Sequence, residues 1–238
     1  MLNIIGAECV KMRKNKMFII SSLIVWGFTA FLIIIDPSLA DLTDTWFVIG
    51  SPLNLVLSIM SGFVVTVLVQ REYQDNTIIN VLTAPVARKE FVFSKCFVWF
   101  IWHVTTLGIT IAITAISYRL VYSEAFQANA ISEFIVGFGT MGLLSFVTFL
   151  PLLWIAIKQR KLFYPTVFFT LVFAVLQLSI ANNPIINAIP WTTVALVSLA
   201  ESQSIIGTSG MIIGLTSIFV CGGLGVGLAC YSFGKQDQ

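Results

Sequence analysis

The chain has 238 residues, of which 58% are hydrophobic and 10% are charged, and its formal net charge is +2. The mean hydropathy is +0.95. A soluble domain of this length cannot hide so much apolar surface, because a sizeable fraction of any folded chain stays exposed, so the composition excludes an ordinary soluble protein and makes lipid the solvent for much of the chain.

The first sixteen residues are too polar to cross a membrane. Their apolar side chains recur at helical spacing, at Leu2, Ile5, Cys9 and Met12. Lys11 and Lys14 fall on the other side, which predicts a short helix lying at the inner membrane interface. A frayed tail is the alternative.

Six long apolar segments follow, each near the roughly 20 residues that a bilayer-spanning helix needs. They cover approximately 17–35, 49–69, 97–118, 134–157, 162–181 and 211–233. The segments are apolar all round, whereas strands of a membrane barrel are shorter and polar on one face. The sequence therefore predicts an all-α polytopic membrane protein with six transmembrane helices and a single domain over 1–238.

The basic residues predict the orientation. With the N-terminus inside, the inner segments hold 12 of the 13 Lys and Arg, and only Arg119 lies outside. Cytoplasmic loops are enriched in Lys and Arg, so we expect both termini in the cytoplasm. A cleaved signal peptide is the competing interpretation of the N-terminus, since small residues end the stretch "PSLA". The apolar run of 17–35 is long for such a peptide, which favours a retained first helix.

A polar island separates the second and third spans, with seven charged residues between Gln70 and Cys96. Within it, residues 76–85 show two faces at helical spacing. The apolar face has Ile78, Val81, Leu82 and Pro85, and the polar face has Asn76, Asn80 and Thr83. This pattern predicts a short amphipathic helix on the cytoplasmic side. It could rest on lipid, but its polar face has no Lys or Arg, which favours docking to a protein partner.

Candidates for chemistry within the spans are few. His103 is the only histidine, and no Asp, Glu, Lys or Arg lies deep in the predicted spans to form a proton relay with it, so a structural role is favoured. "GFGTMG" at 137–142 matches a dinucleotide-binding pattern, but it lies in an apolar run without the required strand. No phosphate-binding G-x-x-x-x-G-K-[ST] motif is present. The cysteines (Cys9, Cys96, Cys221 and Cys230) are interpreted as small packing residues.

The connection from 182 to 210 is broken by Pro184 and Pro190 and contains the apolar stretch "PWTTVALVSLA", which is too short to cross. It predicts a re-entrant or interfacial helix on the outer side, between spans five and six. In span six, Gly210 and Gly214 form one GxxxG motif, and Gly223 and Gly227 form another. We expect these glycines to allow close helix packing within the subunit.

The chain resembles the permease subunit of type-2 ABC transporters. The resemblance covers the topology and the pattern E-Y-x-x-x-T-I-x-x-x-L-T-A-P-V-x-R-x-x-F-x-x-x-K, which begins here at Glu72 and ends at Lys95. The compact size, without a large outer domain, is similar to permeases of bacteriocin and lantibiotic immunity and of peptide-antibiotic export.

The resemblance implies that the polar island is a coupling helix seated on a separate ABC ATPase. The implied coupling residues are Glu72, Asn76, Thr77, Ile78, Asn80, Val81, Leu82, Thr83, Pro85 and Arg88. Glu72 could instead pair with Arg71, Arg88 or the N-terminal helix. It also implies outer re-entrant helices over 184–200 and a complex of two ATPases and two permeases, the second permease being identical or related. The permease itself is not an enzyme and binds no cofactor directly, since ATP and Mg²⁺ bind the ATPase. No nucleic-acid partner is expected.

These features predict a bacterial plasma-membrane export permease that moves an antimicrobial peptide or a similar amphipathic molecule. Two alternatives remain: a non-transporting sensor or assembly subunit, and an intramembrane enzyme built around His103.

Overall fold

The structure is a computed structural model that describes residues 2–35, 45–74, 88–121, 128–159, 162–178, 188–198 and 202–235. The described residues form helices and turns and no strand, which confirms the all-α prediction. The helices are α1 (Leu2–Lys14), α2 (Lys16–Ile35), α3 (Thr45–Gln74), α4 (Arg88–Val121), α5 (Ala128–Phe149), α6 (Pro151–Gln159), α7 (Tyr164–Leu176), α8 (Pro190–Ser198) and α9 (Ser202–Gly234).

Among the described residues, five helical stretches are long and apolar enough to cross a membrane. They are Lys16–Ile35, Ile49–Gln74, Arg88–Leu120, Ile131–Gln159 and Gly207–Gly234. They correspond to the predicted spans one, two, three, four and six. The helix of the third span, α4, begins at Arg88 rather than at 97. Lys95 is therefore part of this helix and not of the loop before it.

The predicted fourth span is two helices rather than one. Helix α5 ends at Phe149 and α6 begins at Pro151, with Leu150 between them. Proline has no backbone N–H to donate, and the backbone N–H of Leu150 donates to Val147 O at 3.3 Å in a tighter turn. The apolar run continues through the break, so hydropathy alone did not reveal it.

The predicted fifth span is represented by α7, an apolar helix of 13 residues that is shorter than a full crossing. The end of the predicted segment, 179–181, lies outside the described residues, so the count of six spans stays a prediction. Helix α8 has nine residues and is largely buried against α5, α7 and α9. Its burial fits a short helix inside the bundle, and its re-entry from the outer side also stays a prediction.

Close packing in α9 involves glycines other than those expected. A Cβ at Gly222 or Gly225 would meet backbone atoms of the α5–α6 break, at 2.9 Å from Val147 O and 2.5 Å from Pro151 N respectively. Gly214 lies against Thr193 of α8 as predicted, but a Cβ at Gly223 or Gly227 would meet nothing within 4 Å. The prediction of close packing within the subunit at Gly223 and Gly227 was therefore wrong, because these residues are on the opposite face of the helix.

The outward faces of the long helices are apolar and exposed. Examples on α2, α5 and α9 are Leu23, Phe31, Val136, Phe219 and Leu224. In a protein with several helices of spanning length, such faces contact lipid tails.

One end of the bundle, which we call the basic end, brings together segments that are distant in sequence. The Gln70 side chain at the end of α3 donates to Leu162 O, before α7. Lys11 of α1 contacts Glu72 of α3, and Arg88 of α4 contacts Gly234 of α9. The segments predicted to share the cytoplasmic side are thus at one end of the molecule.

Candidate functional site at the basic end

The predicted coupling helix over residues 76–85 lies outside the described residues, which stop at Gln74 and resume at Arg88. Of the ten implied coupling residues, the structure describes Glu72 and Arg88. These two residues lie in the helices on either side of the segment, α3 and α4, so their contacts show how the segment is attached to the bundle.

Glu72 belongs to a group of four alternating charges that we call the charge ring: Glu8, Lys11, Glu72 and Lys95. Lys11 Nζ lies 2.9 Å from Glu8 Oε1 and 2.9 Å from Glu72 Oε1. Lys95 Nζ lies 2.9 Å from Glu72 Oε1 and also donates to Glu8 Oε2. The ring joins α1, α3 and α4, and its formal charge is zero.

The charge ring is largely withdrawn from solvent. The side chains of Lys95, Glu8 and Glu72 are only 2%, 6% and 7% exposed, whereas that of Lys11 is 56% exposed. Charges as buried as these are stable only when they are paired and hydrogen-bonded. Glu72 is therefore turned towards the interior of the bundle, where it stabilises the ends of α3 and α4.

Neither Glu8 nor a role for Lys95 was predicted from the sequence, although the sequence carries a signal for Lys95. Phe91, Lys95 and Trp99 are spaced by four residues and share one face of α4. All three are buried, and Lys95 Nζ lies 5.1 Å from the centroid of the Phe91 ring. A lysine between two large aromatic residues indicates a buried cation that needs a carboxylate, but the pattern does not show which carboxylate.

The ring changes the titration of its most exposed member. Burial lowers the pKa of Lys11, but hydrogen bonds and charge from Glu8 and Glu72 outweigh this effect and raise the pKa above its ordinary value of 10.5. A raised pKa means that the charged form stabilises the fold. The contribution is fully present below pH 10.5 and is lost only as the pH rises through the higher folded-state pKa.

Arg88 is at the opposite flank of the undescribed segment. Its Nη1 donates to Gly234 O at 2.7 Å, at the C-terminal end of α9. Carbonyls at a helix C-terminus lack partners within the helix and carry partial negative charge, so a guanidinium there is favourable. Arg88 thus ties the start of α4 to the end of α9.

A cavity of about 300 Å³ opens beside the charge ring, between α1, α2, α3 and α4. Four basic side chains and two carboxylates line it, and the basic ones are Lys11, Lys14, Arg71 and Lys95. Apolar side chains from α1, α2 and α3 complete the wall.

His103 lies deep in the bundle, away from the basic end. Its Nε2 is 3.0 Å from Gly142 O, which can only accept, so Nε2 carries the proton. Its Nδ1 then accepts from the Ser61 hydroxyl at 3.1 Å, and the Ser61 oxygen accepts from Trp99 Nε1 at 2.8 Å. Both ring nitrogens are occupied by this chain of hydrogen bonds, which is typical of a structural histidine.

A second buried polar group joins α3, α5 and the end of α7. Gln177 Oε1 accepts from Asn54 at 3.2 Å and from Ser58 at 2.9 Å, and Ser145 donates to Asn54 at 3.1 Å. Within the part of the chain that the structure describes, no group of three His, Cys, Asp or Glu residues could hold a metal ion. Apart from the charge ring and His103, the buried polar side chains that the structure describes are neutral.

Comparison with known proteins agrees with this architecture. The chain is 24% identical over 133 residues to the bacitracin transport permease protein BCRB of Bacillus licheniformis, which covers 56% of this chain and 64% of that protein. The aligned region thus spans less than two thirds of the relative. The family model described as ABC-2 family transporter protein matches residues 4–177, a stretch that holds most of α1, all of α2 to α7 and the whole of the charge ring. Because this match covers well over half of the chain, the resemblance seen in the sequence is confirmed: the chain belongs to the ABC-2 transporter family and is a multi-pass membrane permease.

Proposed function

We propose that this chain is the permease subunit of an exporter driven by ATP hydrolysis on a separate ABC ATPase. The membership of the family carries this proposal. The ATPase binds ATP and Mg²⁺, and the permease provides the path through the membrane. The complete assembly contains a second permease, identical or related to this one. It lies in a bacterial plasma membrane, and both termini of this chain are in the cytoplasm.

The predicted coupling helix over 76–85 receives the motion of the ATPase. The contacts around it support this role. On the bundle side of the segment, Glu72 near the end of α3 contacts Lys95 of α4. Arg88 at the start of α4 contacts the end of α9. A force applied to the segment therefore reaches α3, α4 and α9 through short polar contacts rather than through a flexible linker.

The cargo is an amphipathic molecule, with an antimicrobial peptide as the preferred class. The aligned relative is named for the transport of bacitracin. The chemistry of the spans supports the same class, because the polar side chains away from the basic end, apart from His103, are neutral, as at Asn54 and Gln177. A route for a polar ion generally leaves ionisable side chains inside the membrane, whereas a route for an amphipathic cargo does not need them.

The docking role is tested by Leu82→Asp, which places a carboxylate on the apolar face of the predicted coupling helix. Burying an unpaired charge in an apolar contact is costly, so we expect the variant to insert normally but to lose the ATPase. The measurement is co-purification of the tagged permease with the P-loop ATPase of its own gene neighbourhood, followed by ATP-dependent peptide transport in proteoliposomes.

Leu162→Asp is the matched control, because it makes the same change at a leucine that is 59% exposed at the same end of the bundle. It is expected to keep the ATPase. Co-purification and transport at the wild-type level with Leu82→Asp contradict the docking role.

The rival functions give different results. A sensor or assembly subunit binds its partner through the same segment but shows no ATP-dependent movement of peptide across the proteoliposome membrane. An enzyme centred on His103 works without the ATPase and loses its activity in His103→Ala. Either result overturns the export proposal.

A further inference from the structure

Two lysines at the basic end have an aromatic ring beside them instead of a carboxylate. Lys158 Nζ lies 5.1 Å from the centroid of the Trp154 ring, and Lys235 Nζ lies 4.6 Å from that of the Tyr231 ring. In each pair the lysine follows the aromatic residue by four positions, so both share one face of their helix. Both lysines are exposed, and neither is within ion-pair distance of a carboxylate of the described residues. The described part of the chain therefore leaves both charges without a counter-ion.

The two lysines are on neighbouring helices that run in the same direction. Trp154 Nε1 of α6 donates to Ser232 Oγ of α9 at 2.8 Å. Both helices run towards the basic end, where α6 ends beside the start of α7 and α9 ends beside the start of α4. Lys158 and Lys235 follow the hydrogen-bonded residues of their helices by about 6 Å and about 4.5 Å, at 1.5 Å per residue. They thus lie at about the same level, and an anion that contacts both offsets the repulsion between them.

The level of the two lysines is the border of the apolar part of the bundle. Lys158 is the second-last residue of the spanning stretch Ile131–Gln159, and Lys235 directly follows the stretch Gly207–Gly234. Tryptophan and tyrosine are enriched at this border in membrane proteins. Lysines near helix ends extend their ammonium groups towards the polar headgroups. The anion that is best placed to contact both lysines is therefore a lipid phosphate.

The outward face of α9 adds an apolar surface next to this position. Val220, Leu224, Leu228 and Tyr231 recur at intervals of three or four residues and are exposed. Lys235 continues the same face one turn later. An acyl chain that extends from a phosphate at Lys235 meets this face directly. An acidic protein surface would have no use for the apolar side chains, so the combination favours a lipid.

We propose that the ends of α6 and α9 bind one anionic phospholipid of the leaflet at the basic end. Its phosphate diester lies between Lys158 and Lys235 and accepts a hydrogen bond from each ammonium, and one acyl chain lies along Leu224 and Leu228. Basic sites between transmembrane helices on the cytoplasmic side are suited to such headgroups. A choline headgroup is disfavoured, because it brings a third cation to the two lysines.

The test is native mass spectrometry of the full-length permease in detergent, titrated with phosphatidylglycerol, phosphatidylcholine or glycerol phosphate. One molecule of phosphatidylglycerol is expected to bind well before further lipids add. Lys158→Gln and Lys235→Gln are each expected to weaken this first binding about fivefold, the effect of one lysine near an anionic surface. The double variant is expected to weaken it about 25-fold, the product of the two single effects.

Lys16→Gln is the matched control, because Lys16 is also exposed and begins a spanning helix, but α2 packs against α3 and α4 rather than at the ends of α6 and α9. Its effect is expected to stay within about twofold. A loss for Lys16→Gln as large as that for Lys158→Gln, or equal binding of phosphatidylcholine, overturns the proposal. Equally tight binding of glycerol phosphate assigns the lysines to a soluble anion and overturns the lipid source.

Co-purification of the double variant with the ATPase distinguishes a lipid from an acidic protein partner. Lys158→Gln/Lys235→Gln is expected to keep the ATPase while it loses the tightly bound lipid. Loss of the ATPase with unchanged binding of phosphatidylglycerol assigns both lysines to a protein interface and overturns the proposal. The lipid titration itself needs no ATPase, so its outcome is independent of the export proposal.

Discussion

Lys95 and Lys11 occupy equivalent positions in the charge ring but very different surroundings. Each contacts both Glu8 and Glu72, yet the Lys95 side chain is 2% exposed and that of Lys11 is 56% exposed. Removing one partner from a buried ion pair leaves a charge that is neither paired nor solvated. The same loss near solvent is compensated by water. The two lysines therefore separate the effect of burial from the effect of pairing.

Lys95→Met is expected to destabilise the permease by about 3–5 kcal/mol, because Glu8 and Glu72 then lose the buried cation that both contact. Lys11→Met is expected to cost at most about 1 kcal/mol. Thermal unfolding of both variants in the same detergent measures the difference. Adding Glu8→Gln to Lys95→Met is expected to restore part of the loss, since it removes one of the two competing carboxylates. Equal unfolding temperatures for Lys95→Met and Lys11→Met contradict a buried ring.

At the scale of elements, the break between α5 and α6 determines where α9 packs. Gly222 and Gly225 bring α9 against the backbone of Val147 and Pro151. A straight helix through 134–157 would not present these backbone atoms to α9 in the same way. The proline and the glycines are distant in sequence but form one close contact, which explains why the motif spacing in α9 indicated the wrong pair.

Gly225→Ala is expected to destabilise the bundle by about 1–3 kcal/mol, because its Cβ would be 2.5 Å from Pro151 N and neither backbone can give way easily. Gly227→Ala adds the same methyl group to the same helix where nothing lies within 4 Å, and it is expected to cost nothing. Unfolding temperatures of the two variants provide the measurement. A loss at Gly227→Ala as large as that at Gly225→Ala contradicts the described packing.

The elements that the sequence predicted well are those with local signals. Windows of apolar residues long enough to cross a bilayer were sufficient for spans one, two, three and six, since each is one continuous helix. Span four also met the length criterion, but a single proline inside it divided the helix without lowering its hydropathy. Pro151 was visible in the sequence, but a hydropathy window does not register a break in the helix.

The contacts of the candidate site required the tertiary structure. Glu8, Glu72 and Lys95 come from three helices, and no spacing rule relates residues that are so far apart along the chain. Glu72 was expected either to serve the ATPase or to pair within the chain, and the structure shows its carboxylate in contact with Lys11 of α1 and Lys95 of α4. The sequence indicated that a polar island existed between spans two and three, while the helix packing decided which charges meet beside it.

At the scale of the whole molecule, the basic end brings together the ends of helices that the distribution of Lys and Arg had assigned to one side of the membrane. Contacts between α1, α3, α4 and α9 join residues from both ends of the described chain. The side of the membrane on which this end lies is a separate question, and it decides whether an ATPase can reach the coupling segment.

Single-cysteine variants in a background without the four native cysteines show on which side of the membrane the basic end lies. A membrane-impermeant maleimide is expected to label Asn80→Cys and Lys235→Cys only after the cells are permeabilised. Arg119→Cys is expected to be labelled in intact cells, because Arg119 is near the other end of α4. Labelling of Asn80→Cys in intact cells places the segment outside and contradicts coupling to an ATPase.

The charge ring also has a consequence for biogenesis. Glu8 is synthesised well before its partner Lys95, which comes 87 residues later in the chain. Since chains are synthesised from the N-terminus, α1 has no ion partners on α4 until the third apolar segment has been translated. Helix α1 therefore completes its contacts in the charge ring only after the chain has been synthesised as far as Lys95.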